Sequence, residues 1–382
     1  MRTSTIEVAD IFRLHGKKLT ERHKLPLQQL RAIHAIKSCR TQVLGGHVDA
    51  CDACGYQRIS YNSCRNRHCP KCQFLAKERW IEKVNAHLLP IPYFHIVFTV
   101  PSELNDFSRY NQKLMYDLLF KASAETLKEV SANTKYLGVN PGFISVLHTW
   151  GQNLSLHPHV HVIFMGGGLG IQDQRWVAAK PDYLFPVKVL SRLFRGKMLA
   201  HLRQALNNNQ PEHTECLKEH LSLLYKKEWV VFTKPAFQNA EHVVKYLGRY
   251  THRIAISNHR LVSITEEGVS FKWKDYRDGE KKTMMLDPVE FMRRFLLHVL
   301  PDKFVRIRYY GLLTNRYRND CVEICRNGLG FHAARAEAKQ HKEDWQQMLL
   351  RLTGCNVEQC PNCIEGRMRV QAKIPRQVRG PP

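Results

Sequence analysis

Residues 157–165 read HPHVHVIFM, and this stretch decides the predicted core of the fold. Successive side chains of a β-strand point to opposite faces, so His159 and His161 share one face while Val160 and Val162 share the other. The valines suit a buried face, and two imidazoles one pleat apart can bind one divalent metal ion. The segment therefore predicts a strand with an apolar inner face and a metal-binding outer face. The alternative is a polar sheet face that carries histidines without a metal.

The flanking sequence predicts further strands and helices around this one. β-branched and aromatic runs predict strands, and apolar residues at helical spacing predict helices. Because these elements do not alternate strictly as strand, helix, strand, we expect an α+β fold built on an antiparallel sheet. The predicted strands are 93–100, 143–149, 157–165, 229–233, 261–265 and 269–274, and the predicted helices lie within 1–40, 74–89, 111–130, 187–207 and 240–250.

The charge of the chain points to a polyanionic partner. The 382 residues include 58 Lys and Arg against 34 Asp and Glu, a formal net charge of +24. A globular protein this basic usually binds nucleic acid, so DNA is the expected partner. The sequence contains no apolar run of membrane-spanning length and no signal peptide, so we expect no membrane association and a cytoplasmic, nucleoid-associated location. Thiols stay reduced there, so the 12 cysteines suggest metal binding more than disulfides.

Two Cys-x-x-Cys pairs predict a structural zinc site. Cys51 and Cys54 form the first pair, and Cys69 and Cys72 form the second, with 14 residues between the pairs. Each pair places two thiolates on one tight turn, and two such turns complete a tetrahedron around Zn²⁺. Three further residues of the same segment are candidate extra ligands, either for a second metal or as replacements within a pair. They are His47, Cys64 and His68.

The C-terminal region carries a weaker cysteine group. Cys355, Cys360 and Cys363 lie at irregular spacing, with Cys321 and Cys325 as distant candidates to complete a site. This pattern leaves a second zinc site and free thiols equally open. The basic, proline-containing stretch 367–382 is expected to be disordered.

Basic residues around the predicted zinc site indicate contacts with DNA phosphates. Arg65, Arg67 and Lys71 lie between and beside the cysteines, and a zinc module that presents Arg and Lys can contact phosphates. Arg249 and Arg253 extend the predicted DNA-binding set to a second basic segment.

That second segment carries a tyrosine pair at helical spacing. Tyr246 and Tyr250 are four residues apart, so both phenols lie on one face of the predicted helix, with His242 one turn earlier. A tyrosine can attack a phosphodiester, and the resulting ester conserves the energy needed to rejoin the strand. Because a phenol has a pKa of about 10, it needs activation, which a metal and basic side chains near the phosphate supply. Core packing of two tyrosines is the alternative.

His159-Val160-His161 resembles the His-hydrophobic-His motif of the HUH endonucleases. With Tyr246-x-x-x-Tyr250 in YLGRYTHRIAISNHRL, the chain looks like the two-tyrosine transposases of the insertion-sequence 91 family. The segment NSCRNRHCPKCQ, residues 62–73, resembles the zinc-binding domain of that family. The resemblance covers roughly residues 10–330.

The resemblance implies a fold, an activity and cofactors. The fold is an HUH-type antiparallel sheet with flanking helices, preceded by a helical segment and a zinc module. The activity is rolling-circle-like transposition of single-stranded DNA through 5′-phosphotyrosine intermediates, with Mg²⁺ or Mn²⁺ at the histidine pair and Zn²⁺ as a structural ion. Such sites usually have a third polar ligand, for which His242 is the first candidate, Glu241 the second and His157 the third.

These motifs suggest three domains and leave two rival functions. We expect a helical and zinc-binding, DNA-contacting domain at 1–90, a nuclease domain at 91–315, and a C-terminal region at 316–382. A rolling-circle replication initiator or a relaxase would use the same chemistry. A zinc-dependent DNA-binding protein without nuclease activity is the rival from another class.

Overall fold

The largest sheet is antiparallel and has six strands, one of which contains the histidine segment. The structure, a computed structural model, describes residues 6–209, 214–237, 248, 255–275, 278–331 and 343–377. The sheet has the strand order β11-β4-β5-β3-β7, and β6 pairs with β5 beyond this path. Its strands are β3 (Tyr93–Thr99), β4 (Val139–Trp150), β5 (Leu156–Gly170), β6 (Trp176–Ala178), β7 (Val231–Phe237) and β11 (Ile307–Gly311).

Strand β5 is central in this sheet. Its side chains alternate between the two faces of the sheet, so the valines and the histidines lie on opposite faces, as predicted. Val160 and Val162 are fully buried in the largest apolar core, which lies on one face. Burial of side chains of this size stabilises the fold by about 1.5–3 kcal/mol each. Ile163, two residues after His161, belongs to a separate core on the opposite face. His159 and His161 therefore lie on the face of Ile163, because residues two apart in a strand point the same way.

Strand β5 continues past residue 165, where the predicted strand ends, through Gly166, Gly167 and Gly168. A Cβ on Gly166 would lie 2.6 Å from the backbone oxygen of Pro92, and one on Gly168 would lie 2.4 Å from that of Asn140. The glycines therefore allow neighbouring backbone to approach β5 closely, and the ladder extends to Gly170. Glycine here permits close strand packing and does not mark a turn.

The sheet is covered by helices on both faces. Helices α4, α5, α6 and α7 supply the large core on the valine face, and α3 and α9 pack on the histidine face. The described helices are α1 (Val8–Arg22), α2 (Leu27–Ser38), α3 (Gln73–Asn85), α4 (Asn105–Tyr110), α5 (Gln112–Ala132), α6 (Val187–Asn209), α7 (Glu215–Lys226), α8 (Pro288–Leu297), α9 (Arg318–Gly328) and α10 (Trp345–Thr353).

A second sheet packs with the first two helices. Its order is β10-β9-β8, formed by β8 (Leu261–Ile264), β9 (Val269–Lys274) and β10 (Lys281–Leu286). Helix α8 begins after Asp287, whose carboxylate accepts hydrogen bonds from the backbone N–H groups of Val289 and Glu290. This is a side-chain N-cap, which stabilises a helix by about 1 kcal/mol. Phe12 of α1 then packs edge-on against Phe295 of α8, with ring centroids 5.7 Å apart.

A third sheet joins the two ends of the described chain. Its order is β12-β1-β2, formed by β1 (Gly46–Cys51), β2 (Gln57–Tyr61) and β12 (Met368–Ile374). The expectation of disorder from residue 367 is therefore wrong for 368–374. Backbone pairing with β1 satisfies the hydrogen-bonding groups of this polar segment, which charge composition alone cannot reveal.

The predicted class, α+β with antiparallel sheets, flanking helices and an N-terminal module suited to zinc, is confirmed. The boundaries at residues 90 and 315 stay a prediction, and packing crosses both of them. The core that contains Phe12 also contains Phe295, and β12 pairs with β1. Among the described helices, none combines the length and apolar character needed to cross a membrane.

Candidate active site and metal clusters

Three histidines meet on one face of the main sheet. His159 and His161 come from β5, and His148 of β4 lies directly opposite His159 in the antiparallel register. The Nε2 atoms of His159 and His161 are 3.1 Å apart. One nitrogen from each of the three rings lies within 4.8 Å of the others, a spacing at which all three can bind one ion.

The Nδ1 atoms of His159 and His161 make hydrogen bonds that orient the two rings so that their Nε2 atoms lie close together. Nδ1 of His159 is 2.6 Å from the backbone oxygen of His157, so it donates and leaves the Nε2 lone pair available. Nδ1 of His161 is 2.8 Å from Nε2 of His95, which lies on the neighbouring strand β3. A partner on Nδ1 that fixes tautomer and ring angle is the usual support for a metal-binding histidine.

The cluster favours neutral imidazoles, the form that binds metals. Burial lowers the pKa of His159 to about 3, with a smaller effect from His157. Burial also lowers the pKa of His161, helped by the neighbouring His148. His95 follows the same direction, to about 4, through burial and then the charge of Lys234. A donor set of three imidazoles, two of them held neutral by burial, fits a divalent cation that also takes oxygen ligands.

The third ligand expected from the sequence differs from the one the structure brings into place. His242 and Glu241 lie outside the described residues, and the side chain of His157 is exposed and outside the three-histidine cluster. Sequence reasoning missed His148. It had predicted the strand that contains His148, but only the register of β4 against β5 sets this ring opposite His159.

The predicted tyrosine segment is represented by one described residue. Tyr246, Tyr250, Arg249 and Arg253 lie outside the described residues. Gly248 is helical and buried, and a Cβ added to it would lie 2.4 Å from Cδ1 of Ile81 in α3. Ile81 shares a core with Ile163 on the histidine-bearing face of the sheet. The residue midway between the two tyrosines in sequence therefore packs on the same face as the histidine cluster.

The four cysteines predicted to share one zinc ion are divided between two clusters. Cys69 and Cys72 meet Cys39 and Cys64, with Sγ of Cys72 3.4 Å from that of Cys39 and 3.6 Å from that of Cys64. Tetrahedral Zn²⁺ with bonds of about 2.3 Å separates its sulfur ligands by about 3.8 Å. The single-site assignment is therefore corrected. Spacing along the chain could not show it, because Cys39 precedes the motif at the end of α2 and was not considered.

The other pair meets cysteines from the far end of the chain. Cys51 and Cys54 lie with Cys360 and Cys363, all four sulfurs within 4.8 Å of one another. Hydrogen bonds from the Tyr56 backbone and then from the Asn362 side chain lower the pKa of Cys54 to about 6. Cys355 is exposed outside this cluster, and Cys321 and Cys325 lie in α9 against the sheet core.

Of the candidate extra ligands, only Cys64 joins a cluster. Nε2 of His47 is 3.4 Å from the carboxylate of Asp49 on the same strand. Nε2 of His68 accepts a hydrogen bond from the backbone N–H of Leu300 at 3.1 Å. That histidine is buried and fastens the zinc segment to the chain after α8, a structural role.

The three basic residues predicted to contact DNA from this module lie in different surroundings. Arg67 donates to the backbone oxygens of Phe304 and Pro301 at 2.6 and 2.7 Å, so its guanidinium also holds the zinc segment to the chain after α8. Lys71 pairs with Glu7 at 2.7 Å. Arg65 is exposed, with a left-handed backbone φ of 53°. Two of these three cations therefore make contacts within the fold.

Comparison with known proteins matches two stretches of the chain to transposase families. Residues 11–100 match the family described as "Transposase zinc-binding domain", and residues 142–321 match the family described as "Putative transposase". The protein described as "Putative transposase y4qJ" from Sinorhizobium fredii (strain NBRC 101917 / NGR234) is 47% identical over 393 residues, covering 100% of this chain and 98% of that protein.

A second relative agrees with the first. The "Transposase for insertion sequence element IS801" from Pseudomonas savastanoi pv. phaseolicola is 29% identical over 307 residues, covering 75% of this chain and 71% of that protein. No solved structure matches significantly. From the two matched families and the full-length relative, we conclude that the chain belongs to the insertion-sequence 91 family of transposases, with an N-terminal zinc-binding domain.

Proposed function

We propose that this transposase is a metal-dependent tyrosine endonuclease and strand transferase of the HUH type. It cleaves and rejoins single-stranded element ends and target DNA in rolling-circle-like transposition. The observation that carries the proposal is the cluster of His148, His159 and His161, whose ring nitrogens converge on one point. Buried polar nitrogens need a partner, and a shared metal ion would supply one to all three rings.

The histidines would hold Mg²⁺ or Mn²⁺, and the cluster of Cys39, Cys64, Cys69 and Cys72 would hold structural Zn²⁺. A divalent ion at the imidazoles supplies charge that polarises and orients a scissile phosphate. His95 and the carbonyl of His157 keep the ligand rings in position through their hydrogen bonds to Nδ1 atoms. Imidazole ligands leave open coordination positions for phosphate oxygens, which a closed four-thiolate site does not.

Tyr246 and Tyr250 are the proposed nucleophiles. The phenolic oxygen of one tyrosine attacks phosphorus, a P–O bond to tyrosine forms, and the bond from phosphorus to the 3′ oxygen breaks. The 3′ oxygen leaves with a proton, and the 5′ end stays covalently attached to the protein. A later 3′ hydroxyl reverses the exchange and rejoins a strand. The position of Gly248 on the histidine-bearing face supports nucleophiles near this site.

The net charge of +24 supports binding to the DNA backbone, and the relatives' names favour transposition over replication initiation or conjugative relaxation. Proposed DNA contacts are Arg65, Arg249 and Arg253, with Arg67 and Lys71 as weaker candidates because both already make contacts within the fold. Because the proposed partner is DNA, we also propose a cytoplasmic, nucleoid-associated location.

A covalent adduct tests the proposal. Purified protein is incubated with a labelled single-stranded oligonucleotide from an element end and Mn²⁺ or Mg²⁺, then separated on a denaturing gel. We expect an adduct that the Tyr246→Phe, Tyr250→Phe double variant loses, and each single variant shows which tyrosine acts first. Tight DNA binding without any adduct in either metal would instead support a non-catalytic zinc-dependent DNA-binding protein.

A further inference from the structure

We propose that Cys51, Cys54, Cys360 and Cys363 form a second zinc site, separate from the cluster around Cys69, that fastens the C-terminal strand β12 to the N-terminal zinc module. Cys360 and Cys363 lie outside both stretches that match known families, 11–100 and 142–321. The proposal rests on these four side chains and their surroundings and is independent of the proposed nuclease activity.

The sulfur positions suit one tetrahedral ion. Sγ of Cys51 is 3.6 Å from that of Cys363, and Sγ of Cys54 is 3.7 Å from that of Cys360. These distances are close to the roughly 3.8 Å between sulfurs around Zn²⁺ and far above the roughly 2.05 Å of a disulfide. Four thiolates with no oxygen ligand select zinc over Mg²⁺ or Mn²⁺.

The two Cys-x-x-Cys pairs form matching turns. Backbone N–H groups of Ala53 and Cys54 both donate to Sγ of Cys51 at 3.4 Å. In the second pair, the backbone N–H of Asn362 donates to Sγ of Cys360 at 3.4 Å. N–H groups directed at sulfur stabilise thiolate charge, which a metal ligand carries and a neutral thiol does not.

The residue after each pair has the same unusual backbone. Gly55 and Ile364 both have a left-handed conformation, with φ of 72° and 65°. Left-handed geometry is unfavourable for a branched residue such as isoleucine, so the surrounding structure must stabilise it. A turn that must direct two sulfurs at one ion supplies a reason for that cost at Ile364.

The second pair also needs a glycine where it approaches the first. A Cβ on Gly366 would lie 2.2 Å from Sγ of Cys51 and 2.8 Å from Cβ of Ala53. Cys51, Cys360 and Met368 form a small core of their own, with Cys363 packed against it. Three buried residues cannot stabilise a separate unit, and small modules of this kind usually depend on a metal.

Metal content of the full-length chain tests the proposal. Zinc per chain is counted by mass spectrometry after gel filtration, in a His159→Ala, His161→Ala background that removes two of the three clustered imidazoles. We expect two ions in this parent, one after Cys360→Ser with Cys363→Ser, and two after Cys355→Ser, a matched control at an exposed cysteine outside the cluster. One ion in the parent, or two retained by the double variant, would overturn the proposal.

A second measurement covers a double variant that fails to fold and loses both ions. The parent is loaded with ¹¹³Cd²⁺ and its cadmium NMR spectrum is recorded without any cysteine substitution. Two resonances in the range for four sulfur ligands support the proposal. A single such resonance overturns it.

Discussion

His148 and His159 lie opposite each other in adjacent antiparallel strands, so two residues 11 positions apart in sequence present their rings to the same point. Trp150 stacks on His148 with ring centroids 4.7 Å apart, which restricts the ring on its other side. The position of this third imidazole has a direct consequence for metal binding.

We expect His148→Ala to weaken Mn²⁺ binding and to reduce DNA cleavage by on the order of 100-fold, because a direct ligand contributes at least as much as its supporting partners. Affinity for a single-stranded oligonucleotide without metal should stay within about two-fold of the parent. Isothermal titration with Mn²⁺ and the adduct assay measure the two effects. His157→Ala is the informative comparison, since its side chain lies outside the cluster and only its backbone oxygen supports His159. Equal losses in both variants would argue against His148 as the third ligand.

His95 should act through His161 and not through the metal itself. His95→Ala removes the partner of Nδ1 and should weaken metal affinity about 10- to 100-fold, as the loss of outer-shell hydrogen bonds does elsewhere. His95→Gln keeps an acceptor on this strand and should recover part of the loss. The measurement is Mn²⁺ affinity by electron paramagnetic resonance, with activity restored in both variants at saturating metal. Activity that stays low at saturation would indicate a different role.

Arg65 and Arg67 should separate DNA binding from stability. Arg67→Ala removes two hydrogen bonds from a charged donor to backbone oxygens, so we expect the free energy of unfolding to fall by about 2–4 kcal/mol. Arg65→Ala should leave the free energy of unfolding unchanged but lower the affinity for DNA. The slope of log affinity against log salt concentration should fall by about 1, as expected for the loss of one phosphate contact. Urea unfolding and fluorescence anisotropy at several salt concentrations test the pair. If only Arg67→Ala reduced the salt dependence of DNA binding, Arg67 and not Arg65 would be the phosphate contact.

His298 should make the folded state sensitive to acid. The ring is fully enclosed, where Nε2 donates to the backbone oxygen of Leu154 and Nδ1 accepts from Thr149. Burial lowers its pKa to about 4 from an unfolded value of 6.5. Protonation therefore favours the unfolded chain, so stability is complete above about pH 6.5 and is lost as pH falls toward 4. The total loss is about 3 kcal/mol.

The matched variant is His298→Gln, which keeps a donor for Leu154 but does not titrate. Urea unfolding from pH 7.5 to 4.5 should show a shallower decline in the free energy of unfolding for the variant than for the parent. The other buried histidines are common to both proteins, so their effects cancel in the difference. Parallel pH profiles would contradict the assignment.

The amino-acid sequence by itself determined the local features of this protein. Alternation in residues 157–165 was enough to predict a strand with Val160 in the core and the histidines opposite, because strand geometry depends only on neighbouring residues. The same holds for the α+β class, for the family resemblance and for the strand pair β8 and β9. The chemistry of Tyr246 and Tyr250 remains a prediction from sequence and family.

Only the tertiary structure decided which distant residues share a site. Cys51 and Cys69 belong to one motif in sequence but to different clusters in space, because β12 returns to β1 and brings Cys360 with it. His148 joins His159 through strand register for the same reason. Ligand sets of this kind depend on which strands pair over long distances in the chain. The hydrogen bonds of that pairing are made by backbone groups that every residue type except proline has, so the spacing of residues in the sequence does not reveal it.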